Sequence, residues 1–430
     1  MLLLILSTSI YAHMQAGENN TDFHRNFNDS TLRLDYIFAG GPEGPHIFLE
    51  SMTKQPGWAG RKSHLKSGPL QGNATILVKE ITTGDTLYCN PFSPLFLEWL
   101  NTSEAAERPM AFENSLLVPL PKSECEIRVI LRDNRFKEIV NSSFVFDPKD
   151  NLVAIKERNH YPFQYLHKGN SPENAIDIAI LAEGFREDEM DKFITKSQEI
   201  TDEILRYEPF ASNKEKFNFI AVKTPSIESG VSIPKNNIWS NTLFGAHFGT
   251  FHSDRYLTVP RVWRMHDSLE GIPYEHIFVV VNTPEYGGGG FFNCYQVASS
   301  DNIHTLPVAV HEFGHSFAGL ADEYFYEGEE DETYPLDIEP WEANITTLSD
   351  FDTKWRDKLP AKVKIPTPWE EKTKPDKKGK HNLGVYEGGG YRFKGIYRPT
   401  PTCRMRDNYY PSFCPVCEET LQLVIDFYTD

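Results

Sequence analysis

The strongest chemical signal in the chain is His311, Glu312 and His315, in the order His-Glu-x-x-His. On a helix, residues four apart lie on one face. His311 and His315 can therefore both aim an imidazole nitrogen at one metal ion. Glu312 stands beside them, where it can take a proton from a water on that metal. This is the short motif of a zinc hydrolase, so zinc is the expected cofactor. A chain this long can also hold two histidines as hydrogen-bonded core residues, so the flanks must decide. Leu306, Val308, Ala309, Val310, Phe313 and Phe317 set apolar side chains around the helix, as a buried active-site helix needs. Gly319 supplies a stop, because glycine readily takes the left-handed conformation that ends helices. Asp322 and Glu323 follow at once, which brings a third, oxygen ligand within reach.

The chain has 430 residues, enough for two to three domains. It carries 61 acidic against 43 basic residues, a net charge of −18. That balance argues against nucleic acid, whose phosphates need a basic surface, and against anionic membranes. It fits a soluble, self-repelling surface. Residues 1–16 read as an export signal: a short apolar run, too short to span a bilayer, with Ala12 and Ala16 at its end. They lack the Lys or Arg expected before that run. The expectation is a protein secreted, periplasmic or displayed on a bacterial surface. No other stretch is long and apolar enough to be transmembrane. Six cysteines suit an exported protein with disulfides. Cys403, Cys414 and Cys417 cluster, while Cys89, Cys125 and Cys294 are scattered. No second Cys-x-x-Cys completes a zinc site with Cys414 and Cys417, and no thioredoxin-like context surrounds them. A disulfide within this cluster is expected.

Residues 17–150 read as β structure. Short apolar stretches at 32–38, 74–81, 125–131 and 143–146 are separated by Gly, Pro and Asp-Asn turns. That spacing suggests an all-β sandwich. It holds no catalytic constellation; Phe92, Phe96, Leu97 and Trp99 are expected to pack in its core or as a lid. Residues 151–172, rich in Pro, Gly and charge, are expected to be a linker. Residues 173–430 form the second unit. Buried-strand runs at 175–182, 217–223 and 276–282, and an amphipathic helix at 187–205, argue for an α/β (α+β) domain with a central sheet. His247 and His252, between those strands, read as solvated or structural. The glycine run 287–290 is expected to be a flexible rim, and 293–298 an edge strand to which an extended peptide can add. The acidic run 327–332 lacks the spacing of an EF-hand and reads as a solvated loop. Residues 360–380 read as an exposed excursion, and 415–428 as a final helix.

The metal helix with Gly319-Leu-Ala-Asp-Glu-Tyr324 resembles the bacterial IgA-peptidase family of zinc metallopeptidases. So do Ser226-x-Glu-Ser-Gly230, Gly388-Gly-Gly390, Gly395-x-Tyr-Arg-Pro399, Cys403-x-Met-Arg406 and Phe413-Cys-Pro-Val-Cys417. The resemblance implies a zinc peptidase domain over about 175–430, behind an N-terminal β domain. The specificity in the family's name does not follow from these motifs. The resemblance also implies a metzincin-like fold, with a methionine turn beneath the metal; Met405 is the candidate. Metzincins place a third histidine after a glycine, but Ala321 stands at that point and Gly319 comes one residue late. The third ligand is therefore expected to be Asp322, with Glu323 the alternative and a distant Glu on a second helix after that. The implied activity is endopeptidase action on protein substrates. His311, His315 and Asp322 hold zinc, Glu312 is the general base, and Tyr397 and Arg398, or Tyr409 and Tyr410, help stabilise the oxyanion. The competing readings are an exported binding or adhesion module with a relic metal site, and a zinc hydrolase of esters or cell-wall amides.

Overall fold

The computed structural model describes residues 21–155, 161–171, 175–326, 333–368 and 382–429. The expected signal at 1–16, the acidic run 327–332 and residues 369–380 of the excursion lie outside them.

The first unit opens with α1 (Thr21–Asn26), β1 (Phe27–Gly40), β2 (His46–Pro56), β3 (Ala74–Glu80) and β4 (Thr86–Phe92). It continues with α2 (Leu95–Trp99), α3 (Ser103–Glu107), β5 (Met110–Pro121), β6 (Cys125–Arg132), β7 (Glu138–Phe146) and β8 (Ala154–Ile155). Two four-stranded sheets form, in the orders β5-β1-β2-β8 and β4-β3-β6-β7. Leu32, Leu34, Tyr36 and Phe38 of β1 meet Ile76 and Val78 of β3 and Ile127 and Val129 of β6 in one core. Each such side chain, fully buried, contributes roughly 1.5–3 kcal/mol relative to exposure. The opposite face of β1 is buried too. Arg33 pairs with Asp35 at 2.8 Å and reaches Asp267 at 2.6 Å and the Trp263 carbonyl at 2.9 Å, clasping the second unit. Phe92, Phe96, Leu97 and Trp99 are all core residues. Strands β2, β4 and β5 did not stand out in the sequence. Prolines explain two of them: Pro91 lies in β4 and Pro119 and Pro121 in β5, and both strands are sheet edges, where a missing donor is tolerated.

The stretch 151–172 is not a plain linker. β8 pairs with β2, and β9 (Phe163–Lys168) pairs with β11 (Phe217–Val222) at the margin of the second sheet. Each supplies an edge strand, whose exposed or partly exposed residues show no alternation.

The second unit is built on that sheet. Besides β9 and β11 it contains β10 (Ile176–Glu183), β12 (His276–Val281), β13 (Gly288–Phe291) and β14 (Tyr295–Ser299). The order is β13-β14-β12-β10-β11-β9; the four inner strands are parallel and the two edges antiparallel. One face, with Ile176, Ile178 and Ile180, is covered by α4 (Met190–Ile204), α6 (Thr305–Ala318) and α7 (Pro415–Thr429). The other, with Ala179, Leu181, Ile220 and Val222, is covered by Phe244, Phe248, Leu257, Met265 and Leu269 from the long segment that includes α5 (Val262–Asp267). Burial on both faces explains the continuous apolar runs. A small sheet of β15 (Phe325–Tyr326), β16 (Tyr386–Gly389) and β17 (Tyr391–Arg398) follows α6. The whole is a two-unit, sheet-rich α+β architecture.

His276, at the start of β12, sits between the rings of Phe317 and Tyr428, and burial lowers its pKa from 6.5 to about 3. Between those values the unfolded chain binds a proton that the folded chain refuses. This residue therefore stabilises the fold fully above pH 6.5 and less as pH falls toward 3. His276→Phe should remove that loss, worth about 1.4 kcal/mol per pH unit inside the window. Urea midpoints of both proteins at neutral and mildly acid pH check this, and parallel pH slopes would contradict it.

Candidate metal centre

α6 begins where Asn302 and Thr305 bond to each other, with Pro307 in the first turn, where no helical donor is lost. It ends at Gly319, whose φ of +54° turns the chain back. A Cβ at Gly319 would meet the Trp341 ring at 2.3 Å, so both conformation and space demand glycine there. The returning tail is pinned at every step. Asn344 bonds both the N–H and the carbonyl of Ala321, the Asp322 carbonyl accepts from Gly390, and the Glu323 N–H donates to the Met405 carbonyl at 2.9 Å.

This turn brings Asp322 back over the two histidines. Its Oδ1 lies 2.9 Å from His311 Nε2 and 3.3 Å from His315 Nε2, and the two Nε2 atoms are 3.0 Å apart. Each imidazole has its other nitrogen against a backbone carbonyl: His311 Nδ1 on Arg404 at 3.1 Å and His315 Nδ1 on Leu320. A carbonyl only accepts, so both Nδ1 atoms carry protons. In the neutral rings both Nε2 atoms then present lone pairs to Asp322. The other carboxylate oxygen of Asp322 accepts from the Tyr391 hydroxyl, while Oδ1 is buried without a hydrogen bond.

Three acceptors thus face one another at the bottom of a cleft, an arrangement that asks for a cation. Bonds of 2.0–2.1 Å in a tetrahedral set would place ligand atoms about 3.3 Å apart, close to the spacings seen. The same demand shows in the titration of the site. Burial alone would lower the His315 pKa, but the Asp322 charge raises it to about 9. Burial would raise Asp322, but the histidines hold it far below the carboxylate range. The pull on a proton is the pull that a metal ion answers. Glu312, on the same helix, is raised by burial against the opposing pull of both histidines.

Among the described residues, His311, His315 and Asp322 form one of two groups with ligand atoms close enough to share a metal. Glu323 is not part of it. Its carboxylate turns the opposite way, to Cys417 and Cys414. Met405 lies fully buried under the helix; a Cβ on Gly314 would meet its sulfur at 2.7 Å. Tyr397 and Arg398 are corrections, since neither lines the cleft. Backbone bonds with Thr346 hold Tyr397, and the buried Arg398 guanidinium donates to the carbonyls of Glu387 and Gly388. Tyr409 is exposed and Tyr410 also stands outside the cleft lining. His247 and His252 are away from the cluster, on the Phe248 carbonyl and beside Glu104.

The cleft has a volume of about 1280 Å³ and walls from both units. The first unit contributes Leu97 and Glu98 from α2; Glu98 accepts from Tyr256, and burial lifts its pKa to about 7. Its neighbouring backbone is fixed to the second unit by Ser93 N–H to the Phe292 carbonyl and by Asn293 to the Pro91 carbonyl. Tyr286, Tyr324 and Tyr391 complete the surroundings of the cluster, with Tyr324 stacked on His311. Tyr324 ends one motif visible in the sequence and Tyr391 follows another, but nothing there pointed to Glu98. The glycine run is a second correction. Gly288–Phe291 is itself the edge strand, and the strand after it, Tyr295–Ser299, is internal. A Cβ on Gly288 would meet Glu312 Oε1 at 2.6 Å, and one on Gly290 the Glu312 carbonyl at 2.5 Å. Glycine is required there because the strand lies flush on the metal helix. The expected disulfide is the third correction: among the described residues none forms. Cys417 Sγ stands 3.8 Å from Cys403 and 3.5 Å from Cys414, against about 2.0 Å for a bond.

Comparison with curated proteins found no match. Comparison with family models found two. Residues 22–144 match the Peptidase M64 N-terminus, and residues 165–381, which hold the metal helix and its acidic tail, match IgA Peptidase M64. The chain is a member of the IgA Peptidase M64 family, a family of metallopeptidases.

Proposed function

We propose that the protein is an exported zinc endopeptidase, and that His311, His315 and Asp322 are its metal ligands. The observation that carries this reading is the meeting of two imidazole Nε2 atoms and one orphaned carboxylate oxygen, within 3.3 Å of one another, on the floor of a long cleft. A metzincin-like arrangement is part of the proposal, with Met405 as the floor. Export rests on the short apolar start of the chain, and among the described residues no helix is long and apolar enough to cross a membrane.

Zinc at this site would lower the pKa of a water toward neutrality and polarise the scissile carbonyl. The residues of the chain do the rest. Glu312 takes the proton of the attacking water and returns it to the leaving amine; its raised pKa suits a group that must do both. Tyr391 holds Asp322 by one oxygen and so aims the other at the histidines. The phenols of Tyr286 and Tyr324, protonated at neutral pH and pushed further up by desolvation, take the oxyanion role in place of Tyr397 and Arg398. β13 is the edge strand beside the helix, bridged at Gly288 to Tyr256; an extended peptide adds to the rest of that edge, which places a scissile bond along the helix.

Hydrolysis of peptides by zinc-loaded protein, lost on chelation, tests the reading. Gly288→Ala tests the geometry. The added methyl must push Glu312 aside, so peptide hydrolysis should fall by about 10²-fold with zinc content unchanged. Wild-type turnover in that variant would contradict the placing of Glu312.

A further inference from the structure

We propose that Glu323, Cys403, Cys414 and Cys417 form a second metal site, a closed structural zinc site that holds the Asp322 loop against the floor of the catalytic cleft.

The four side chains are all buried, and their ligand atoms lie within 4.8 Å of one another. For zinc–sulfur bonds of about 2.3 Å and a zinc–oxygen bond of about 2.0 Å, tetrahedral angles place sulfur pairs about 3.8 Å apart and sulfur–oxygen pairs about 3.5 Å apart. The sulfur pairs that include Cys417 are at 3.8 and 3.5 Å. Glu323 Oε1 is 3.2 Å from Cys417 and 3.9 Å from Cys414. The match is to a four-ligand sphere about one small ion.

The surroundings offer donors and a helix terminus to sulfurs that become thiolates on metal binding. Cys403 Sγ accepts two backbone N–H groups, from Met405 at 3.5 Å and Cys414 at 3.2 Å. Cys414 and Cys417 stand at the N-terminus of the 15-residue helix α7, where the helix dipole favours negative charge. Asn344 orients the carboxylate by donating to Glu323 Oε1 at 3.0 Å, and Glu323 Oε2 is buried with no hydrogen bond. The buried cation Arg398 acts on Glu323 by charge. With Arg398, three thiolates and a carboxylate in this buried pocket sum to −3, and a divalent ion reduces that to −1. Soft thiolates and a site with no open position select structural zinc. Binding releases the thiol protons and oxidises nothing.

The site would tie three distant segments together: the tail of the metal helix, the Met405 loop and the first turn of α7. Asp322 and Glu323 then divide between two ions, one carboxylate facing each way. The sequence hid this because Cys414 and Cys417 have no second Cys-x-x-Cys; their partners are single residues 11 and 91 positions away from Cys414.

The test counts metal in the full chain, purified without chelator, by elemental analysis. Wild type should hold about two zinc ions per chain, and the His311→Ala/His315→Ala variant about one. Replacing that remaining zinc by cobalt(II) should give sulfur-to-cobalt charge-transfer absorption in the near ultraviolet, and Cys417→Ser should abolish it. The histidine variant keeps every proposed ligand, so the result does not depend on a cysteine variant that folds. A folded histidine variant with no metal would overturn the site, as would a disulfide among these cysteines in the purified protein. One zinc in both proteins, with the cobalt–sulfur band, would instead support this site and count against the histidine site.

Discussion

Glu312→Gln should cut peptide hydrolysis by about 10²–10⁴-fold while zinc stays bound at the histidine site. Glutamine keeps the shape of the side chain but cannot accept the proton of the attacking water. Glu312 is not among the converging ligands, so its loss leaves His311, His315 and Asp322 in place. Its nearest constraint is Gly288, which lies against the carboxylate and is indifferent to its charge. Zinc loss together with activity loss would make Glu312 a ligand instead of a base. Undiminished hydrolysis would remove it from the chemistry.

Asp322→Asn should cost the histidine site its zinc, and with it all measurable hydrolysis. The carboxylate is the only negative charge among the three converging ligands, and the net shifts of Asp322 and His315 run against burial, in the direction of their mutual attraction. An amide of the same size keeps the Tyr391 contact but not the charge that holds the cation. Glu323→Gln offers the contrast, since its carboxylate faces the cysteines. Zinc counted per chain in the two variants, each on the Cys417→Ser background, separates the ligand assignments. Zinc retained with Asp322→Asn and lost with Glu323→Gln would reverse them.

The part of the site that could be read from sequence is local. His311 and His315 share a face because the helix repeats every 3.6 residues, and Gly319 ends that helix because it alone takes φ of +54° at low cost. The inner strands were legible for a similar reason: burial on both faces writes an unbroken apolar run. What could not be read depends on residues far apart in the chain. Glu98 reaches the cleft from the first unit, and Cys403 joins Cys414 and Cys417 through a loop. The sequence favoured Asp322 and kept Glu323 as the alternative; the pinning of their backbone by Gly390 and Met405 is what sends the two carboxylates to opposite sides. The glycine run misled in another way. Glycine is a poor strand former, so Gly288–Phe291 read as a loop, yet contact with the metal helix leaves room for nothing larger. Tyr397 and Arg398 misled because a motif marks importance without naming its kind: Arg398 is buried beside the second cluster, not in the cleft.

Zinc-dependent cleavage of peptide bonds can be read without any variant. The most direct measurement incubates the full-length protein with a mixed peptide library and reads new termini by mass spectrometry. It is run as purified, after chelation, and after zinc is restored. The expected result is internal cleavage that chelation stops and zinc restores, with no cleavage by Glu312→Gln. Zinc-loaded, folded protein that cleaves no peptide, or cleavage that survives complete removal of metal, would contradict the account.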